Sequence, residues 1–426
     1  MSLSHIDISL DDGEKVDTKK SSPPLGRKAD FSEDLINERS DLELLGWKIK
    51  DTEPCPCGSN KAYKECCKNI TEATPNVSKK PPEVQAMEKM RASMEKCCLY
   101  PDQTSCKGKI KEAHALQNNK IISLLAGSEH HVYMLNAKKK PILVPLENGE
   151  VIPIVKVSRT SANDATTETC FCDLHDNIAF AAIEKGAPDF DDSEEMKFVY
   201  AYKAFIFEYY KQTMGMKIFR RCYKTNPKAF QSKESVAIYR MLQLKEKEFE
   251  PIKKHFDSEI LAGTHSGIFT CVVKIPEQIK FADYAFIAPS YDMNGYQIRH
   301  TKKGVMHRIA LTIFPEQGKS WLLMSCLEGE KKIYEKFFKQ MQEASVQKLK
   351  FYLNMVLPLF SENMVLSPDL WKSWTEDIQG AYTYYANLNG PDAKRMEMCL
   401  GFALKNANRD KSGSAYNTLP KINLFL

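Results

Sequence analysis

The spacing of hydrophobic positions changes twice along this chain, and the changes divide it. Residues 192–213, DSEEMKFVYAYKAFIFEYYKQT, open on Asp, Ser and Glu and continue as an apolar-rich run, which predicts a long helix. Its aromatics, Phe198, Tyr200, Tyr202, Phe205, Phe207, Tyr209 and Tyr210, read as packing residues rather than as a stack for a cofactor or for bases. A second long helix is predicted over 233–256, where KEKEFEPIKKHF supplies a solvated face. Over 262–328 the period shortens. GIFTCVVKI, YAFIAPSYDM, HRIALTIFP and KSWLLMSCLEG alternate or run apolar between Gly, Pro and Asn turns, as strands of an antiparallel sheet do. Helices resume over 330–358 and 366–405, and no internal repeat is visible.

Elements in the N-terminal half are shorter. Residues 1–30 are Ser-, Asp- and Lys-rich and predict a flexible tail, and FSEDLINERSDLELLGWKIK (31–50) predicts a short amphipathic helix. KNITEATPNVSKKPP (68–82) reads as linker, and 83–97 as helix. KGKIKEAH is short and alternating enough for a strand ending at His114; ALQNNKIISLLAG predicts a helix and HHVYMLN a strand. KPILVPL and GEVIPIVKV add short strands, and a helix follows Cys172. The expected class is α+β: an antiparallel sheet with several long helices and two small cysteine-bearing regions. The expected units are a tail and helix over 1–50, a cysteine knuckle over 51–70, a linker over 71–82, a second cysteine region over 83–190 and an α+β domain of unassigned role over 191–426.

Composition narrows the class more than the activity. At 426 residues, 43 % hydrophobic and 27 % charged, most of the chain should be globular. A formal charge of +5 permits a nucleic-acid partner without predicting one, because backbone binding depends on local clustering. Thirteen cysteines in so long a chain, with no apolar leader-like stretch near residue 1, suit a reducing, cytoplasmic compartment with metal sites and ordinary buried thiols. No run of about 18 apolar residues occurs, so no membrane span is expected.

Four of the cysteines form one tight group, PCPCGSNKAYKECC over 54–67. Cys55 and Cys57 are followed, across a Gly58–Ser59 turn, by the adjacent Cys66 and Cys67. So short a segment cannot bury an apolar core, and a bound zinc ion would have to supply its folding energy. CPCGS and YKECC resemble the SEC-C motif, a knuckle found at the C-terminus of the preprotein-translocase ATPase and attached to many unrelated bacterial proteins. The resemblance implies a zinc-binding module, a bacterial setting and a protein partner docked on the knuckle. It covers few residues, and its position here departs from the translocase arrangement. No phosphate-binding glycine loop accompanies it.

A second set lies between CLYPDQTSCKGKIKEAH and CFCDLHDNIAF. Cys98 and Cys106 form one pair of soft ligands, and Cys172 and His175, spaced C-x-x-H, form another. Two such pairs separated by a long interval are how a structural zinc site clips distant segments together. Cys97 competes with Cys98 for the first position; Cys98 is preferred because it directly precedes the turn-forming YPDQTS segment. Hydrolysis of nucleic acid at such a clip needs a general base and an oxygen ligand for a catalytic Mg²⁺ or Mn²⁺ ion. His114 is placed to be the base, with His131 a further candidate. Asp176 is placed to hold the ion and Asn177 to orient either group. Lys107, Lys109, Lys111 and Lys138 to Lys140 are candidates to meet phosphates, although each cluster alone is usually a wet surface.

The clip is similar to the HNH-type, treble-clef zinc region, in which a zinc knuckle leads into a strand bearing the base histidine and a later ligand pair starts a helix. The resemblance implies structural zinc on Cys98, Cys106, Cys172 and His175, His114 as base, and Asp176 as the helix residue at the catalytic ion. Three features depart from that pattern: seven residues rather than two separate Cys98 from Cys106, Ala113 stands where many members carry a metal ligand, and the interval from His114 to Cys172 is long. Two functions therefore stand open. One is a zinc-stabilised adaptor, with His114 and His131 merely satisfied histidines; the alternative is a metal-dependent nuclease. A nuclease requires His114 and Asp176 to meet across an open polar groove, whereas an adaptor would hold them apart or buried and expose an apolar patch elsewhere.

Overall fold

The computed structural model of the chain describes residues 46, 48–70, 94–136, 139, 142–145, 151–299, 301–302, 305–388, 390–417 and 421–426. The expected tail, nearly all of the 31–50 helix, residues 71–82 of the linker and residues 83–93 of the following helix lie outside these. Residues 94–97, the described end of that predicted helix, carry no helical turn.

In chain order, a 3-10 turn at Tyr63–Glu65 lies within the cysteine knuckle. Strand β1 (Ile110–His114) is followed by a mixed helix, a π-turn at Asn118–Ile122 continuing as α1 (Ser123–Ala126). Strands β2 (His131–Leu135), β3 (Ile142–Pro145), β4 (Val151–Ile154), β5 (Val157–Ser161) and β6 (Thr167–Cys172) come next. Helices α2 (Asp173–Ala179), α3 (Ala181–Glu184), α4 (Glu194–Thr225) and α5 (Lys233–Ala262) lead into β7 (Ile268–Ile275), β8 (Phe281–Ile287), β9 (Thr301–Lys302), β10 (Val305–Met306), β11 (Ile309–Glu316) and β12 (Lys319–Leu327). The remaining elements are α6 (Lys331–Glu343), α7 (Val346–Phe360), β13 (Val365–Leu366), α8 (Pro368–Ser373), α9 (Glu376–Tyr385) and α10 (Gly390–Arg409).

The class is α+β, as expected, with one principal antiparallel sheet of seven strands in the order β5-β2-β13-β8-β11-β12-β7. Four of its strands come from the predicted 262–328 region. Two others, β2 and β5, come from the N-terminal half, and the two-residue β13 joins the wings through Leu366↔Tyr133 on one side and Val365↔Ala282 on the other. Every residue of β11 is buried, because both faces of the sheet are covered. On one face Ala310 and Phe314 join α4, α5 and the 98–190 segment; on the other Ile309, Leu311 and Ile313 join α6, α7 and α10. That two-sided burial is why HRIALTIFP reads as a nearly continuous apolar run instead of alternating.

Helix α4 begins where its sequence says it should, with the Ser193 hydroxyl accepting from the Met196 amide. Its aromatics pack as expected: Tyr200 stacks on Phe314 at 4.9 Å, and Phe205 meets Phe286 edge-on at 5.2 Å. Helices α6 and α7 fill the predicted 330–358 region. They separate at Ala344–Ser345, where the Ser345 hydroxyl caps α7 by accepting from the Lys348 amide. Among the described residues, no helix is long and apolar enough to cross a membrane.

One carboxyl is buried in the middle of this sheet. Asp283 of β8 is fully inaccessible; its Oδ1 accepts from Ser361 Oγ at 2.5 Å, and its Oδ2 has no hydrogen-bond partner. Burial pushes its pKa up to about 8; Glu208 adds to the shift, and the Ser361 hydrogen bond and Lys211 oppose it. Between the ordinary carboxyl value of 3.8 and about 8 the folded chain holds a proton that the unfolded chain releases, so this group makes stability fall as pH rises through that window. Asp283→Asn, a neutral isostere, should stay within about 1 kcal/mol of wild type near pH 5 and become the more stable protein above about pH 8. Urea denaturation of both proteins across this range checks it; a stability difference independent of pH would refute it.

Candidate metal centres and the adjoining cleft

Both predicted ligand groups are assembled. The donor atoms of Cys55, Cys57, Cys66 and Cys67 lie within 4.8 Å of one another, as do those of Cys98, Cys106, Cys172 and His175. The spacings are compatible with a tetrahedral zinc ion. Zinc–sulfur and zinc–nitrogen bonds at tetrahedral angles require edges of about 3.8 Å between sulfurs and about 3.6 Å between sulfur and nitrogen. In the knuckle Cys66 Sγ lies 3.5 Å from Cys57 Sγ and 3.7 Å from Cys67 Sγ. In the clip His175 Nδ1 lies 3.3 Å from the sulfurs of Cys98 and Cys172 and 3.5 Å from that of Cys106. Either group could hold a metal ion, and the sulfur-rich donors are compatible with zinc.

Local sequence shapes each cluster. In the knuckle the Cys55 amide donates to Lys61 O, the Gly58 amide to Cys55 O and the Cys66 amide to Tyr63 O, closing the turn around the sulfurs. Burial alone would raise the Cys57 thiol, but hydrogen bonds from Ser59 and the neighbouring thiols outweigh it and bring the pKa to about 7. That favours the thiolate a metal requires. The knuckle is seated on the helices: Cys55, Tyr63 and Cys67 pack with Met216, Phe219 and Tyr223 of α4 and Tyr239 of α5. The buried Arg240 guanidinium donates to the carbonyls of Gly46 and Lys48 and to Glu53 at 2.8–3.2 Å, fastening the segment leading into it.

In the clip, β1 and β6 pair antiparallel, with Ile110 opposite Cys172. Gly108, between Cys106 and β1, has φ +80°, and a Cβ there would stand 2.8 Å from an Asp173 carboxylate oxygen, so the loop closes only around glycine. With Nδ1 turned to the sulfurs, His175 Nε2 is 2.9 Å from Ser105 Oγ, and Tyr100 stacks on the ring at 4.0 Å. Such outer contacts fix a ligand histidine's tautomer and plane. Burial alone would raise the Cys172 thiol, yet the backbone N–H groups of His175 and Lys107 help bring it below its ordinary value. Cys98 belongs to the group; Cys97, whose amide donates to Thr169 O, does not.

Beside the clip is a polar cleft of about 190 Å³ lined by Lys111, His114, Gln117, Lys120, Asp176 and Glu184, among others. A bulge in the β1–β6 pairing falls between Lys111 and Ala113. It twists the strand, so that Lys111 and His114, which strict alternation would send to opposite faces, both reach the cleft. His114 Nδ1 sits 2.9 Å from the Ala165 carbonyl, which can only accept. Nδ1 therefore carries the proton, and Nε2 is the basic nitrogen. Burial lowers the imidazole's pKa below its ordinary value, with the Ala165 contact opposing. Asp176 Oδ2 pairs with Lys111 Nζ at 3.2 Å, while Asp176 Oδ1 is buried without a hydrogen-bond partner.

Several expected residues are elsewhere. His131 Nδ1 donates to the carbonyl of its neighbour Glu129 at 2.9 Å, its buried Nε2 makes no hydrogen bond, and the residue does not line the cleft. Asn177 donates back to the Asp173 carbonyl on the exposed side of α2. Lys139 donates to Arg159 O, and Lys138 and Lys140 lie outside the described residues. The cleft also contains groups the sequence did not single out. Glu184 is bonded to Lys203, a lysine of α4 that is only 2 % exposed and lies over the Phe180 ring. Gln117 accepts from the Tyr200 hydroxyl at 3.1 Å. A polar residue inside an aromatic helix, as Lys203 is, was the available signal.

A family model described as the SEC-C motif matches residues 52–69, which span the knuckle. No curated protein and no solved structure matches the chain.

Elemental analysis of the intact chain should find two tightly held metal ions, with Cys57→Ser and Cys172→Ser each losing one. Cys57→Ser should speed amide exchange where the knuckle meets α4 and α5, around Phe219, Tyr223 and Tyr239, and Cys172→Ser should lower the thermal midpoint of the whole chain. Retention of both ions by either variant would refute the corresponding cluster.

Proposed function

We propose that the protein is a zinc-bearing hydrolase of phosphodiester bonds in nucleic acid, with zinc in both clusters and its chemistry in the cleft beside the clip. The observation that carries this reading is that His114 and the buried Asp176 both line one polar cleft, a few residues from the clip ligands. The antiparallel β1–β6 pair followed directly by α2 agrees with the HNH-type resemblance, and residues 83–190 form the working region under this reading.

The roles follow from the residues. His114, held through Nδ1 by Ala165, presents Nε2 as a neutral base that takes a proton from the attacking water. Asp176, with one oxygen unfilled, is the residue that would hold Mg²⁺ or Mn²⁺. A divalent ion there supplies positive charge for the departing oxygen. Gln117 and Lys120 are held by Tyr200 and by Glu316 in the cleft wall, where they orient what enters. The clip's zinc has a structural part, fixing β1 against α2 so that base and carboxylate keep their spacing.

The adaptor reading has one observation of its own. Met398 and Phe402, a turn apart on α10, are 48 % and 64 % exposed, as a docking face for a protein partner would be. Cleavage separates the two. With Mg²⁺ or Mn²⁺ the wild type should cut DNA or RNA, and His114→Ala should lose about a hundredfold or more in rate with its zinc retained. Because burial lowers the His114 pKa, the acidic limb of the pH–rate profile should fall below the ordinary histidine value of 6.5. Absence of cleavage with either ion would favour the adaptor, and equal rates in both proteins would remove His114 from the reaction.

A further inference from the structure

Two lysines lie near the Asp176 carboxylate, and they are not equivalent. Lys203 rises from the core on α4, 2 % exposed, bonded to Glu184 and covered by Phe180. It has no path to solvent. Lys111 stands at the cleft mouth on β1, its side chain 41 % exposed, with Nζ 3.2 Å from Asp176 Oδ2. The carboxylate itself is only 6 % exposed, and its second oxygen, Oδ1, has no hydrogen-bond partner.

This combination is half satisfied. A buried carboxylate oxygen without a donor is costly, while an ion pair to a half-solvated lysine contributes little and exchanges easily. What fills both oxygens of such a group is a small, hard, doubly charged cation, which binds oxygen donors and brings its own water. A cation on Asp176 would repel an ammonium 3.2 Å away, and of the two lysines only Lys111 can leave.

We infer that Lys111 is a displaceable internal counter-ion: it occupies Asp176 while the cleft is empty of cations, and a divalent cation on Asp176 releases it to an anionic phosphate at the cleft mouth. The inference deepens the cleft reading above and rests on it for the substrate. Glu112 and Glu184 also face the cleft, but Glu184 is already committed to Lys203.

The test is Mn²⁺ binding by isothermal titration calorimetry on the zinc-loaded full chain, a readout independent of turnover. Removing a competing unit charge should tighten Mn²⁺ binding to Lys111→Met by about tenfold over wild type. Lys111→Arg keeps the charge and should stay within about threefold of wild type. In an Asp176→Asn background the Lys111→Met change should have no effect on Mn²⁺ affinity. Unchanged or weakened binding by Lys111→Met, tightening that persists without Asp176, or no Mn²⁺ binding by either wild type or Lys111→Met would overturn the inference. Failure of the cleavage reading looks different: the Mn²⁺ pattern would hold while neither DNA nor RNA was cut.

Discussion

The burial of α4 is the constraint on which the other parts depend. At 32 residues the helix is about 48 Å long. Along that length its side chains meet every functional part of the protein in turn. Tyr200 and Lys203 back the cleft, Phe205 and Phe207 lie on the sheet, Tyr210 donates to Glu95 O three residues before Cys98, and Met216, Phe219 and Tyr223 seat the knuckle. A helix so rich in aromatics does not form well on propensity alone. Its stability is tertiary, from large side chains each contributing roughly 1.5–3 kcal/mol on burial. The two ligand clusters are thus not separate attachments: the knuckle packs on the C-terminal part of α4, and the segments flanking the clip pack on its middle.

The cleft shows how that packing places charged groups in the interior. Lys203 brings a full positive charge into the core, where Glu184 and the face of Phe180 offset its burial. Glu316 does the converse at the end of β11: a buried carboxylate that takes the Lys120 ammonium, the Phe190 amide and the Trp321 indole N–H, so that its hydrogen bonds overcome burial and lower its pKa. One pair fixes the floor of the cleft to α4, and the other ties its wall to the sheet. Polar groups this deeply placed hold a single arrangement because each alternative would leave a charge unpaired.

How much of this could be read from the sequence follows the range of the interactions. The long helices, the strands over 262–328 and the knuckle are local in origin, set by caps, periodicity and cysteine spacing, while the clip joins two local ligand pairs that lie far apart in the chain. Cys98 over Cys97 was legible from the turn after it. The Ser345 cap that separates α6 from α7 lies in a polar stretch, KQMQEASVQKLK, where no change of period marks the break. What the sequence withheld is non-local. His131 is a candidate base by sequence, but its imidazole is turned to the Glu129 carbonyl and buried away from the cleft. Lys203 looked like one polar interruption in a packing helix. Lys111 and His114 share a cleft only because of a bulge in their strand pairing, which no alternation pattern announces.

The two-residue strand β13 has a consequence for how the chain assembles. Among the described residues, strands β2 and β5 pair with the rest of the sheet only through Leu366, supported by Trp371 stacked on Tyr133, by Lys372 paired with Glu129 and by Asn387 bonded to the backbone of Val155. All these partners are synthesised long after β2 and β5. During translation the cleft-bearing half therefore emerges with an open strand edge and waits for distant residues to close it. Contacts of such long sequence separation make folding slow, and an exposed edge in the interval is a site for association with other chains. The half of the protein that holds the cleft is thus the half that depends on what leaves the ribosome last.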